Sequence, residues 1–157
     1  MNITTNKTAA NFQPVMAVDE LSRYVQKVFP QADNYGWSVQ DLAPGNITVA
    51  MDAGDDHLRP GGTVSGPTIF ALADLTAYLL VLAHIGEVAL AVTTNLSINF
   101  LSKPLPGALY AEGGLIKLGK RLAVCEVHIH SAGSETMIAQ ATATYSIPPD
   151  RPIGMDN

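Results

Sequence analysis

The residues best suited to chemistry lie in one stretch, His57 to Tyr78, which reads HLRPGGTVSGPTIFALADLTAY. A glycine-punctuated loop runs into an almost wholly apolar segment that carries a single carboxylate, Asp74. Burying an ionised carboxylate among apolar side chains is costly, so it calls for a partner or a task. Gly66 opens the segment. A helix starting there presents backbone N–H groups with no partner inside the helix, which suits them to an anion or a developing oxyanion. An acid/base or nucleophilic group near an oxyanion donor is what acyl transfer requires. Tyr78 follows Asp74 by one helical turn on the same face. It contacts an acyl group, hydrogen-bonds the carboxylate, or packs with its hydroxyl satisfied elsewhere. Ser65 is read equally as a helix cap and as a hydroxyl of the site. A serine nucleophile is disfavoured, because Gly62-Thr63-Val64-Ser65-Gly66 does not fit Gly-x-Ser-x-Gly and no triad follows from it.

Other candidates are weaker. His57, His84, His128 and His130 invite a metal, and His128 and His130 share a strand face, yet neither HExxH nor a Cys/His cluster is present. A hydrogen-bonded strand pair is the better reading, and no metal is expected. Gly61-Gly62 resembles a phosphate loop only superficially, since no Walker lysine follows.

These residues need elements to position them. Residues 1–13 read as a mobile leader, 14–148 as one domain and 149–157 as a tail. Pro14 to Phe29 predicts an amphipathic helix, with Val18, Leu21, Val25 and Val28 on one face and Pro30 as its stop. Trp37 to Leu42 and Asn46 to Met51 are short strands about a Pro44-Gly45 turn. Gly54 to Ser65 is a loop, and the long helix runs from Gly66 to His84 with Pro67 at a tolerated first-turn position. Ala89 to Leu101, Ala108 to Leu118, Leu122 to Ser131 and Thr136 to Ile147 are strands, which short turns would join into an antiparallel meander. A helix apolar nearly all round must be covered on most sides. A curved antiparallel sheet wrapped around it, with the N-terminal helix as an addition, satisfies both patterns: an α+β fold.

Composition restricts the function classes. With 47% hydrophobic and 15% charged residues, the 157-residue chain can bury a sizeable core, and some of its surface is expected to be covered by another subunit. A net charge of −5 and the absence of any basic run argue against nucleic acid. The lone Cys125 forms no intrachain disulfide and fits a reducing, cytoplasmic setting. Met1 to Asn11 lacks the pattern of a signal peptide, and the longest apolar stretch contains Asp74 and His84, so no membrane span is expected.

The order of motifs resembles the hotdog fold and, within it, the PaaI-like acyl-CoA thioesterases. The pieces are Ser65-Gly66-Pro67, Ala73-Asp74, Asn95-Leu96-Ser97-Ile98-Asn99-Phe100-Leu101, Pro106-Gly107 and Gly119-Lys120-Arg121, spread over Trp37 to Pro148. The resemblance implies hydrolysis of a thioester to a free acid and coenzyme A, at a dimer interface and usually within a tetramer. It places Asp74 as general base or nucleophile, Gly66 as the N–H that polarises the carbonyl, and Thr93 as a hydroxyl that holds the attacking water, with Ser65 beside them. Asp74 and Gly66 facing one thioester would come from different protomers. His57, Gly62, Tyr78, Asn95, Lys103, Lys120 and Arg121 are the substrate-binding candidates, the last three as cations for nucleotide phosphates. No cofactor is implied beyond the coenzyme A of the substrate. The chain departs from the family pattern where Ser65 replaces the usual histidine and Pro67 replaces a glycine, which removes one N–H. Two other classes remain: a non-catalytic acyl-CoA binding protein, which Ser65 favours, and a hotdog dehydratase, which the missing His-plus-acid pair disfavours.

Overall fold

The long apolar helix α2 (Gly66–Ile85) starts at Ser65, whose Oγ accepts from the Thr68 N–H at 3.3 Å, and stops at Gly86 (φ 93°). Leu72, Ala73, Ala77, Leu79, Leu80 and Leu82 are fully buried around its circumference, as its composition demands. It is long and apolar enough to cross a membrane, but 72% of its apolar window is buried inside the fold. In the computed structural model, which describes residues 11–149, α2 is wrapped by six strands: β1 (Trp37–Ala43), β2 (Asn46–Ala53), β3 (Val92–Phe100), β4 (Gly107–Leu118), β5 (Leu122–Ser131) and β6 (Met137–Ser146). An N-terminal helix, α1 (Val18–Val28), packs on α2 and β1 through Leu21 and Val25. A short 3-10 turn, Pro30–Tyr35, links α1 to β1, and another, Asp55–His57, follows β2. Most of the expected leader and tail lies outside the described residues.

Every strand pair is antiparallel, in the order β1-β2-β4-β5-β6-β3. This is the expected curved sheet, but not one continuous meander. Of the four strands after α2, only β4, β5 and β6 follow one another as hairpins; β3 is not beside β4 and pairs with β6 instead. The reason lies in the connection Leu101–Pro106, whose two prolines have no N–H for a tight hairpin. It is fastened instead to the loop before α2, where the Pro104 carbonyl accepts from the Val64 N–H at 2.9 Å. The start of β3 is also later than expected. Ala89 is held outside the sheet, its N–H donating to the Tyr24 Oη at 3.0 Å and its carbonyl accepting from the Tyr78 Oη at 2.9 Å.

Helix and sheet approach closely at Gly113 on β4. A Cβ there would come within 3.1 Å of Ile47 Cγ2 and Thr76 Cγ2 and 3.3 Å of Leu80 Cδ2. The glycine lets α2 settle into the curve of the sheet, where a side chain would overpack it.

Candidate active site

Pairing β3 with β6 sets Thr93 opposite Tyr145, and both reach the middle of α2. Thr93 Oγ1 donates to Asp74 Oδ1 at 2.7 Å, and Tyr145 Oη donates to the same oxygen at 2.6 Å. Tyr145 Oη also lies 3.0 Å from the Asp74 carbonyl oxygen. Burial, and then the charge of Asp74, hold the Tyr145 phenol far above its ordinary range, so it stays a protonated donor. Both donors converge on Oδ1. Among the described residues Oδ2 has no hydrogen-bond partner, and Asp74 is only half-buried. A carboxylate fixed by one oxygen and open at the other is oriented for work at the open one.

Asp74 lines a cavity of about 350 Å³. Its walls come from the end of α1 and the turn after it (Val28, Phe29, Ala32, Tyr35), from α2 (Ala71, Leu75, Tyr78), and from Ala89 to Thr93 with Tyr145. Tyr78 stacks on Tyr145 with centroids 6.2 Å apart and meets Phe29 edge-on at 6.4 Å. Its hydroxyl is committed to the Ala89 carbonyl and not to the carboxylate.

Gly66 lies elsewhere. It is eight residues before Asp74 on one helix, roughly 12 Å along the axis at 1.5 Å per residue. Its N–H makes no hydrogen bond among the described residues, and a Cβ there would meet the Phe100 ring at 3.7 Å. Ser65 Oγ serves as the cap of α2 and also shares a hydrogen bond with Thr68 Oγ1 at 2.8 Å. His57 ties the loop together. Its Nδ1 accepts from the Gly54 N–H at 3.0 Å, its Nε2 reaches the Asn34 carbonyl at 3.2 Å, and its ring stacks on Tyr35. Gly62 is an exposed turn residue with φ 81°, and Asn95 is exposed on β3.

The three candidate cations are exposed and fall at opposite ends of the sheet. Lys103 follows Ser102, whose N–H bonds the Ile138 carbonyl where β6 begins. Lys120 and Arg121 sit beside Leu122, which pairs with Ser146 where β6 ends. Within one protomer the length of β3, roughly 27 Å at 3.4 Å per residue, separates the two groups. The site residues divide likewise: Asp74, Thr93 and Tyr145 gather at the start of β3, whereas Gly66 lies under Phe100 at its end.

The remaining polar groups have local roles. His84 is buried, its Nε2 accepting from the Gly45 N–H at 2.9 Å and its Nδ1 bonding the Leu80 carbonyl at 2.9 Å. His128 bonds Glu126 at 3.0 Å and His130 stacks on Tyr110, both on the outer face of the sheet. Burial pushes the Cys125 thiol up to about 12, which leaves it unreactive. Among the described residues no three His, Cys, Asp or Glu side chains converge as a metal site.

Comparison with known proteins agrees with this architecture. Residues 61–138 match the model of the thioesterase superfamily. A crystal structure from a Silicibacter species, provisionally described as a thioesterase, is 50% identical, covers 88% of this chain and 96% of its own, and superposes with a TM-score of 0.81. The phenylacetic acid degradation protein PaaI of Thermus thermophilus is 28% identical over 76% of this chain and 99% of its own, with a TM-score of 0.67. A provisionally named esterase of Saccharolobus solfataricus is 27% identical over 119 residues, 76% of this chain and 82% of the relative. The chain belongs to the thioesterase superfamily, and its fold is the hotdog fold.

Tyr145 is the member of the constellation that sequence reasoning missed. Its signal is the inward face of β6, where Ala139, Ala141 and Ala143 precede one large aromatic. A buried tyrosine on such a face needs a partner for its hydroxyl. That the partner is Asp74 depends on the β3–β6 pairing, which the sequence order hides.

Proposed function

We propose that the protein is an acyl-CoA thioesterase in which Asp74 Oδ2 performs the chemistry. The observation that carries this reading is the half-buried carboxylate, held through Oδ1 by Thr93 and Tyr145 and free at Oδ2 on the wall of an apolar cavity. The acyl group enters the cavity and sets its carbonyl carbon beside Asp74. As general base, Oδ2 takes a proton from water while the water oxygen bonds to that carbon. As nucleophile, Oδ2 forms a mixed anhydride that water then opens. Either route expels the coenzyme A thiolate, a good leaving group because a thiol ionises near 8.5. No cofactor takes part in either route.

The oxyanion needs a donor that Asp74's own protomer holds too far away. A second copy supplies it if the two pair along β3. Among the described residues that strand ends the sheet with one edge free, and Val92, Phe100 and Leu101 are exposed along it or just beyond. Such an edge is a liability unless covered. Two-fold antiparallel pairing sets the start of one β3 against the end of the other, so Asp74 meets Gly66 of the partner subunit. The same pairing brings Lys120 and Arg121 to the end where the partner subunit's Lys103 lies, giving the phosphates cations from both chains.

The test is coenzyme A release, read with a thiol-reactive dye, from short, medium, long and aryl acyl-CoAs, with Asp74→Ala alongside. Release that disappears in the variant while assembly persists supports the proposal, and undiminished release overturns it. A non-catalytic acyl-CoA binder is favoured by one observation: the Ser65 hydroxyl caps the helix and leaves no side chain to orient the carbonyl. Tight binding without release would establish that reading.

A further inference from the structure

We infer that the end of α1 and the turn after it form the specificity-determining wall of an acyl pocket internal to one protomer, with Phe29 setting the length of acyl group accepted. This rests on the thioesterase reading for the identity of the ligand.

The carboxylate and the wall come from different parts of the chain. Asp74, Tyr78 and Thr93 fall within the family-matched residues 61–138, whereas Val28, Phe29, Ala32 and Tyr35 precede that segment. The carboxylate therefore sits on the central helix and the opposite wall on the N-terminal segment of the chain. The wall is apolar where a solvated surface would be polar: Val28 is 37% exposed and Phe29 44%. Exposed apolar side chains gathered around a cavity mark a place where apolar surface is to be covered. Asp74 on the same cavity indicates by what: the acyl part of the molecule whose carbonyl the carboxylate serves.

The wall is also fixed in place. Leu21 and Val25 anchor α1 with no exposed surface, and Tyr24 holds the Ala89 N–H while Tyr78 holds its carbonyl. A fixed wall measures length, whereas a mobile one would accommodate it. A cavity of about 150 Å³ encloses benzene, which is roughly 25 Å³ per carbon. The 350 Å³ here, part of it mouth, suits an acyl group of roughly 8 to 12 carbons and leaves an acetyl group largely unsupported.

The experiment compares kcat/KM for straight-chain acyl-CoAs from acetyl to hexadecanoyl, and for phenylacetyl-CoA, in wild type, Phe29→Ala and Phe29→Trp. Asp74→Ala serves as the control for chemistry. Binding of the matching non-hydrolysable S-alkyl-CoA thioethers is measured by calorimetry on the same proteins. The expected wild-type optimum is a medium chain. Phe29→Ala should move it longer and Phe29→Trp shorter, each changing the long-to-medium ratio by about 10-fold or more. Asp74-dependent hydrolysis with one chain-length profile in all three proteins overturns the inference and leaves the thioesterase reading standing. If wild type hydrolyses nothing, the thioesterase reading fails and the thioethers decide the pocket. A chain-length preference in binding that moves with Phe29 upholds the wall, and a preference that does not move, or no binding, overturns it.

Discussion

Two of the polar side chains on the one apolar helix are treated in opposite ways. His84, near the C-terminal end of α2, uses both ring nitrogens, one on the Gly45 N–H and one on the Leu80 carbonyl, and is almost fully buried. Asp74, in the middle of the helix, has two hydroxyls on one oxygen, none on the other, and a cavity beside it. A buried polar group whose capacity is filled joins elements together, whereas one with capacity to spare is available to a ligand. His84 joins the β1–β2 turn to the helix, and Asp74 is the group proposed for the chemistry. They lie ten residues apart, about 15 Å along the axis, far enough for their roles to be separated by substitution.

The largest effect expected is on catalysis. Asp74→Asn keeps an acceptor at the Oδ1 position for Thr93 and Tyr145 and replaces only the free oxygen. Thioester hydrolysis should fall by about 10²- to 10⁴-fold, with the urea midpoint unchanged or raised. A retained rate in steady-state kinetics would remove Asp74 from the chemistry. His84→Ala should do the reverse. It leaves the buried Gly45 N–H without its partner and opens a cavity, so stability should drop by about 3 kcal/mol in urea titration while kcat stays within about twofold. A variant that loses activity at full stability would break the distinction between the two groups.

Tyr145→Phe tests whether orientation of Asp74 matters apart from its presence. The ring and its stacking on Tyr78 are preserved, and only the hydroxyl is lost, with its bond to Oδ1 and its contact with the Asp74 carbonyl. Hydrogen bonds to a charged group contribute about 1.5–3 kcal/mol, so kcat should fall roughly 10- to 150-fold, with less change in KM. A lowered urea midpoint with kcat unchanged would reduce Tyr145 to packing.

The contrast between these groups was only half legible in the sequence. Asp74 stands out because one carboxylate in an apolar helix is unusual, and Thr93 and Gly66 follow from the family resemblance. The helix and its wrapping sheet follow from periodicity, since an all-round apolar helix leaves few alternatives. Tyr145 and the wall at Phe29 were not legible, for a topological reason. Both depend on contacts between distant segments, β3 with β6 and α1 with α2, and local patterns do not encode which strands pair. The two prolines after Leu101 read locally as one more short turn of a meander, and nothing in them says that β3 pairs with β6.

The smallest effect expected is the pH dependence of the His84 tie. Burial is the main cause of its lowered pKa, and the backbone carbonyl of Leu80 opposes it only in part. The imidazole is therefore neutral in the fold, with Nδ1–H donating to Leu80 and bare Nε2 accepting from Gly45. Unfolded, it titrates near its ordinary value of 6.5. Between the lowered folded value and 6.5 the unfolded chain binds the additional proton, so stability rises with pH in that window. The contribution is complete above 6.5 and is lost as the pH falls through the folded pKa. His84→Gln cannot titrate but keeps a side chain able to accept from Gly45. Urea titrations of both proteins between about pH 7.5 and 5 should show the advantage of wild type shrinking toward the acid side. A difference that stays constant across that range would mean that His84 keeps its charge state on unfolding, and that the tie is held by packing and not by the neutral ring.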